Sequence, residues 1–464
     1  MTDSPLETLK SAVNENAWIT DISEMQPYAT EWRNTFDGIP LVVLFPESTN
    51  QVSEIVKICA SKKIAIIPQG GNTGLCGGAI PDKSGSQVII SLKKLNKIKN
   101  ISKNNFSIEV EAGCILEDIH KKVSNYSLVF PIDVSSSGSC QIGGNISTNA
   151  GGTNVLKYGT TRSQVLGLEV VLPNGDIWNG MTNLIKDNSG YDLKQLFIGA
   201  EGTLGIITSA TLKLYPCPGN IVTAFLGFDE ISSVQHLLFE MRKKYGNNLE
   251  TFELISERAI NLVKKNISNI NHPFDTDYSW YILLEVSKLT FIECNDQLMS
   301  FVKSNHISNA VITKNLTEKN ALWRIRDSIS AAQKYEGGSF KHDISVPPSK
   351  VSALIIELEE RILRILPTSR IVAFGHVGDG NIHFNVSQPK NMTLSNFEKF
   401  RKSISKTVYD CIMNFNGSIC AEHGVGILKK ADLLHYKSNI EIDLMRSIKQ
   451  TIDPMNIMNP GKII

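Results

Sequence analysis

None of the eight cysteines stands in a Cys-x-x-Cys pair anywhere in the 464 residues. That excludes the usual zinc ribbons and ferredoxin-type iron–sulfur runs, and it suits free thiols in a reducing cytoplasm. No apolar run approaches the roughly 18 residues that would span a membrane. Net charge is almost absent: 47 Lys and Arg against 46 Asp and Glu leave +1. Neither nucleic acid nor an anionic membrane is therefore expected as the main partner. Lysine groups such as Lys93, Lys94, Lys97 and Lys99 are short and interleaved with apolar residues, as on a solvated face. The opening stretch Met1–Glu7 has neither the basic, apolar character of a signal peptide nor the arginines of a transit peptide, so a cytoplasmic location is expected.

What is present is an ordinary globular composition, 42% hydrophobic and 20% charged, on a chain long enough for two or three domains. Residues 1–37 read as a polar, helical extension. From Pro40 short apolar runs alternate with helices: a strand at 41–46, a helix from Thr49 to Ser61 capped by Ser48 or Thr49, and a strand at 64–68. That spacing predicts a strand–helix–strand unit. The motif Leu212–Pro218 closes this half, and a domain boundary is placed there. Residues 220–425 alternate strands (221–228, 281–286, 371–374, 382–386) with longer helices (232–245, 349–365, 394–415), which predicts an α+β domain on an antiparallel sheet. The tail from 426 is helical up to Asp453-Pro454.

Three glycine-dense blocks lie in the first half: 69–78, 137–159 and 186–207. Glycine lets backbone approach a ligand closely and lets consecutive N–H groups converge on an anion. The first block is no Walker A loop, because no Gly-Lys-Ser/Thr follows, and no dinucleotide fingerprint, because Asn72 stands where the second glycine belongs. Glycine inside elements costs about 0.5–1 kcal/mol relative to Ala. Three such blocks point to a large phosphate-bearing cofactor rather than to turns.

Two segments near the C-terminus carry chemistry: Gly375-His376-Val377-Gly378-Asp379-Gly380-Asn381-Ile382-His383-Phe384-Asn385 and Glu422-His423-Gly424-Val425-Gly426. The Gly-Asp-Gly-Asn turn followed by alternation predicts a strand on which His383 and Asn385 share a face. His376, just before the turn, can approach that face. Two imidazoles with a carboxylate suit a catalytic transition-metal site with one position open to substrate.

These blocks resemble the FAD-linked 2-hydroxy-acid dehydrogenases, flavoproteins of the vanillyl-alcohol-oxidase or p-cresol-methylhydroxylase (PCMH) type. PQGGNTG at 68–74 looks like the family's pyrophosphate loop, IGGNISTNAGG at 142–152 with KYG at 157–159 like its second cofactor loop, and GAEGTLGIIT at 199–208 like its third. The resemblance runs from about residue 38 to the end, including a closing NPGK at 459–462, and 186–208 is especially close to D-2-hydroxyglutarate dehydrogenases. It implies an α+β protein: an N-terminal helical extension (1–37), a PCMH-type FAD-binding domain of two α/β subdomains (38–217), an antiparallel-sheet substrate or cap domain (218–425), and a helical C-terminal segment returning to the FAD domain (426–464). Non-covalent FAD is implied, on Pro68, Gly70, Gly71, Asn72, Thr73, Gly74, Gly78, Pro131, Ser139, Gly143, Gly144, Thr148, Asn149, Gly151, Tyr158, Glu201, Gly202, Gly205, Ile207 and Asn459. Asn72 and Thr73 offer no nucleophile for a flavin tether, and Cys76 and Cys140 are the thiols nearest the loops.

By the same resemblance His376, His383 and Glu422 are metal ligands, with zinc or another divalent transition metal expected. Arg326, Ser330, Lys341, Asn385 and His423 face the substrate, and His423 is the base. Ser330 stands where relatives carry Thr, and Val134–Ser137 departs from the usual lead into the second loop. The implied reaction is FAD-dependent oxidation of a D-2-hydroxy acid to the 2-oxo acid, D-2-hydroxyglutarate foremost, with D-lactate or glycolate as the alternative. The implied acceptor is an electron-transfer flavoprotein or a quinone-linked carrier. Whether the chain forms a homodimer is left open.

Overall fold

In the computed structural model the chain forms two compact units. One comprises residues 1–151, 159–217 and 422–464; the other comprises 152–158 and 218–421. The structure describes residues 4–288, 291–304, 307 and 309–464; Met1–Asp3 of the opening stretch lie outside them. Residues 152–158, expected with the first unit, belong to the second, and 422–425 do the reverse.

The first unit holds two larger sheets, besides a two-stranded ribbon of Leu128–Val129 and Tyr215–Pro216. In one, Pro40–Leu44 and Ile66–Gln69 both pair in parallel with Gln87–Ser91, which lies between them, and Trp18–Ile19 adds an antiparallel edge. The strand–helix–strand unit read from the sequence is therefore split by a third strand. These strands are nearly continuous apolar runs because both faces are covered. The helix Thr49–Lys62 starts where the Ser48 hydroxyl accepts the Gln51 N–H (3.3 Å) and stops at Lys63 in the left-handed region (φ 54°). The other sheet is wholly antiparallel, in the order Ile98–Ser102, Ser107–Glu111, Ile206–Lys213, Val165–Val171, Ile177–Gly180. The N-terminal stretch is not helical throughout: Pro5–Ser11 and Ile22–Ala29 flank the short Trp18–Ile19 strand.

The second unit is built on seven antiparallel strands in the order Ala310–Ile312, Asn220–Phe228, Trp280–Lys288, Leu249–Ser256, Arg370–Gly375, Asn381–Ser387, Ser339–Ser345. An apolar cluster of Ile255, Ile260, Val263, Leu322, Ile325, Ile329, Val372 and Phe374 buries one face under the helices Glu257–Asn266, Leu316–Asp327 and Ile329–Ala332. The long helix expected over 394–415 is two, Leu394–Glu398 and Arg401–Asn414, broken at Lys399 and Phe400 just after Phe397, which stacks on Phe340 (4.0 Å between ring centres). No helix among the described residues is long and apolar enough to cross a membrane.

Candidate active site

In the first unit the glycine blocks converge on one another. A Cβ on Gly71 would lie 2.1 Å from the Ser139 carbonyl oxygen, one on Gly143 2.6 Å from the Ala112 Cβ, and one on Gly205 2.8 Å from Val170. These glycines are there because loops and strands touch. Gly202 (φ 71°) packs against Pro68, and Asn72 takes the left-handed conformation (φ 52°) that Asn tolerates, its side chain donating to the Pro27 and Thr30 carbonyls. Gly74 and Gly144, by contrast, have nothing within 4 Å of the position a Cβ would take.

Around these loops, Thr148 caps back onto the Gly144 carbonyl and Asn149 accepts the Arg162 N–H. Pro131 and Ile207 are buried, and Gly151 lies in the loop after Asn149. Tyr158 ends the segment that belongs to the second unit, and its neighbour Lys157 pairs with Glu250 there (2.5 Å). Asn459 is 1% exposed: its amide donates to the Gly78 and Glu201 carbonyls, and its N–H to Ile66 O. The Glu201 side chain has a use that sequence reading missed. Its two oxygens accept the N–H groups of Val425 (2.6 Å) and Gly426 (2.8 Å), fixing the segment that begins with Glu422 and His423. Burial pushes this carboxyl above the usual range against the pull of those bonds.

In the second unit strand register brings the predicted histidines and their neighbours together. Lys341 stands opposite Asn385, Asp343 opposite His383, and Phe374 beside His383. With period-two alternation, all of these share one sheet face with Glu253 and His376. His376 and His383 each bring a ring nitrogen within 4.8 Å of the other's. Both rings are backed by carboxylates at Nδ1: His376 by Glu253 (2.6 Å) and His383 by Asp343 (3.6 Å). The second of these distances is beyond a hydrogen bond. Asp343 is itself held by the Asn381 amide (2.9 Å).

Arg326 is 8% exposed and donates from Nε to Glu253 (2.8 Å), with its guanidinium 5.2 Å from the Phe374 ring. Its Nε thus has a protein partner, a contact the sequence reading did not include. Its Nη groups have no protein acceptor among the described residues. Burial alone would raise the Glu253 carboxyl, but His376 and Arg326, by charge and by hydrogen bond, hold it down to about 2. The Asn385 amide donates to Gln333 (3.0 Å), another buried residue that sequence reading missed, while Ser330 and Lys341 are exposed. The Ala421 N–H donates to Asp343 O (3.3 Å) at the end of this unit. Glu422 and His423 follow directly, one Cα step of about 3.8 Å at a time.

Residues 40–180 match the family model for an FAD-binding domain, and 217–463 match the model for the C-terminal domain of FAD-linked oxidases. The chain belongs to the FAD-linked oxidase family. It is 37% identical to a probable mitochondrial D-2-hydroxyglutarate dehydrogenase of Oryza sativa subsp. indica, over 98% of this chain and 80% of that one. It is 36% identical to a D-2-hydroxyglutarate dehydrogenase of Stutzerimonas stutzeri, over 100% of this chain and 99% of that one. Crystalline p-cresol methylhydroxylase shares the fold, with a TM-score of 0.75 at 16% identity over 99% of this chain and 96% of that one. The PCMH-type architecture read from the glycine blocks is borne out, and the chain is a flavin-linked oxidoreductase.

An FAD-linked oxidase needs room and polar partners for its flavin, and the convergent loops offer both. Open space lies beside Gly74 and Gly144, and three buried oxygens of the same unit, Gln141 Oε1, Asn145 Oδ1 and Asn459 Oδ1, have no hydrogen-bond partner. Lys462, in the closing motif, is 4% exposed, and its ammonium makes no hydrogen bond among the described residues. Burial brings its pKa down to about 8 despite Asp82 and Glu201 nearby. Such a cation suits an anionic portion of a cofactor.

Proposed function

We propose that this chain oxidises D-2-hydroxyglutarate to 2-oxoglutarate with FAD and a divalent metal, zinc foremost, held by His376, His383 and Glu422. One observation carries the metal part: two histidines approach on one sheet face, each with a carboxylate behind Nδ1. A carboxylate bonded to Nδ1, as Glu253 is to His376, fixes ring orientation in metal sites, and an N/O donor set of this kind suits zinc. The relatives' names support the substrate. A dicarboxylate needs two anion sites, and the uncommitted Nη groups of Arg326 can take one carboxylate in bidentate fashion. Lys341, Asn385 and Ser330 are assigned to the rest of the substrate, and Gln333 holds the Asn385 amide in place.

When bound, FAD supplies the hydride acceptor, and the metal supplies a positive charge that orients the 2-hydroxy acid and lowers its hydroxyl pKa. His423 is assigned the hydroxyl proton, and the Glu201 clamp two residues on limits its wandering. Flavin attachment is non-covalent in this reading. Cys76 is buried and donates to the Gly424 carbonyl (3.3 Å), and burial raises the Cys140 thiol. With no Cys-x-x-Cys run to relay electrons, reoxidation passes from flavin straight to an external acceptor, an electron-transfer flavoprotein or a quinone-linked carrier.

The test is anaerobic bleaching of the visible flavin band with D-2-hydroxyglutarate, D-lactate and glycolate in turn. Rapid bleaching by D-2-hydroxyglutarate, abolished by a chelator and restored by zinc, is expected. Preference for lactate or glycolate overturns the substrate, and chelator resistance overturns the metal.

A further inference from the structure

The strand Leu249–Ser256 runs through the middle of the second unit's sheet and carries a fully buried acid, Glu253, 1% exposed between Phe252 and Leu254. A buried charge is costly unless paired and hydrogen-bonded, and well-packed apolar residues are often no worse for stability. Its two oxygens go to different partners from different elements. Oε1 meets His376 Nδ1 at 2.6 Å, in the turn after Arg370–Gly375, and Oε2 meets Arg326 Nε at 2.8 Å, on the helix Leu316–Asp327. An ionised carboxylate only accepts, so Nδ1 of His376 carries the hydrogen, and Nε2 is the ring nitrogen that remains to serve as a ligand atom. The same carboxylate holds the Arg326 guanidinium through Nε, which leaves its Nη pair for another acceptor. Phe374 closes the arrangement, lying 5.2 Å from the guanidinium and 4.9 Å from the His383 ring.

We infer that Glu253 is a positioning residue that sets both the His376 tautomer and the Arg326 orientation, joining the metal ligand to the carboxylate-binding cation through one side chain. This deepens the metal-dependent reading and rests on it. The alternative is a buried ion pair that merely holds three elements together.

The experiment uses the full-length, FAD-loaded protein stripped of metal. Zinc dissociation constants are measured by chelator competition for wild type, Glu253→Gln and His383→Ala. Glu253→Gln is expected to weaken zinc by about 10–100-fold, the usual effect of losing such an orienting partner, with flavin content and visible spectrum unchanged. Equal zinc affinity in wild type and Glu253→Gln overturns the proposal. A second measurement needs no variant at residue 253: ¹⁵N spectra of histidine-labelled, metal-free wild type, with His376 assigned by its loss in His376→Gln. An Nδ1–H tautomer with bare Nε2 is expected; an Nε2–H tautomer overturns the proposal even if Glu253→Gln fails to fold. If wild type binds zinc no better than His383→Ala, the metal reading falls, and the tautomer still decides what Glu253 does.

Discussion

Replacing Lys449 by Met tests how the C-terminal tail is held to the cofactor loops. Lys449 sits on the helix Asn439–Ile452, and its ammonium donates to Thr203 O (2.8 Å), Met458 O (2.8 Å) and Asp453 Oδ2 (2.5 Å). The Asp453 side chain is 0% exposed and in turn accepts the N–H groups of Ile457 and Met458. That staple sets the tail beside strand Ile66–Gln69, where the Ile66 N–H donates to Ile457 O and the Asn459 N–H to Ile66 O. Asn459 can then reach Gly78 and Glu201. The methionine strands a buried carboxylate, a defect that costs about 3–5 kcal/mol. Because Lys449 is 18% exposed, water can reach the site and the low end is expected, about 3 kcal/mol. At about 2–4 °C per kcal/mol, the thermal midpoint of the first unit falls by roughly 6–12 °C. Flavin content of the purified protein should fall with it. Scanning calorimetry on Lys449→Met, Asp453→Asn and the double variant gives the coupling energy, and the double variant should recover part of the loss because no charge is left unpaired. A single-variant loss below about 1 kcal/mol, or a double variant no better than Lys449→Met, would refute the staple.

Gly71→Ala drives a Cβ against the Ser139 backbone oxygen, which cannot step aside; the purified variant should carry little flavin while its zinc content is retained, and a normal flavin-to-protein ratio would count against the close approach. Lys462 has a folded pKa near 8, below the ordinary 10.5, so its charge penalty is fully present below pH 8 and fades as pH rises to 10.5. Flavin-free wild type should therefore gain up to about 3 kcal/mol relative to Lys462→Met between those limits, read from denaturant midpoints at both pH values, and parallel pH profiles would refute this. Arg326→Lys cannot bond Glu253 and also present a two-pronged donor, so KM for the 2-hydroxy acid should rise on the order of tenfold with zinc content unchanged; an unaltered KM removes Arg326 from substrate binding.

The cofactor half of the molecule was legible because its constraints are local. Gly71, Gly143 and Gly205 touch neighbouring backbone or core atoms so closely that no other residue fits, and a steric demand of that kind leaves a glycine in the sequence whatever the remote partner is. His376 and His383 were legible for a related reason: a Gly-Asp-Gly-Asn turn and period-two alternation place them without knowledge of any other strand. The strands that failed to announce themselves, Leu249–Ser256 and Ser339–Ser345, carry acids in buried positions, Glu250, Glu253 and Asp343. Read alone, those acids look like surface residues, because charged side chains are almost never fully buried unless paired.

The asymmetry has a physical root. The two histidines stand out from their neighbours in sequence, but the carboxylate beside each is chosen by sheet register, which brings residue 253 to 376 and 343 to 383 across strands far apart in the chain. Register is set by the whole buried pattern of the sheet, since a one-residue slip would turn every side chain to the opposite face. The only local trace of Glu253 is that it and Thr251 alternate with the apolar Phe252, Leu254 and Ile255. They are polar positions in a strand that is buried along its whole length. A polar residue at such a place can remain only if other elements supply its partners. Here those are His376 and Arg326, and their meeting at one carboxylate makes Glu253 part of the site's geometry rather than of its surface.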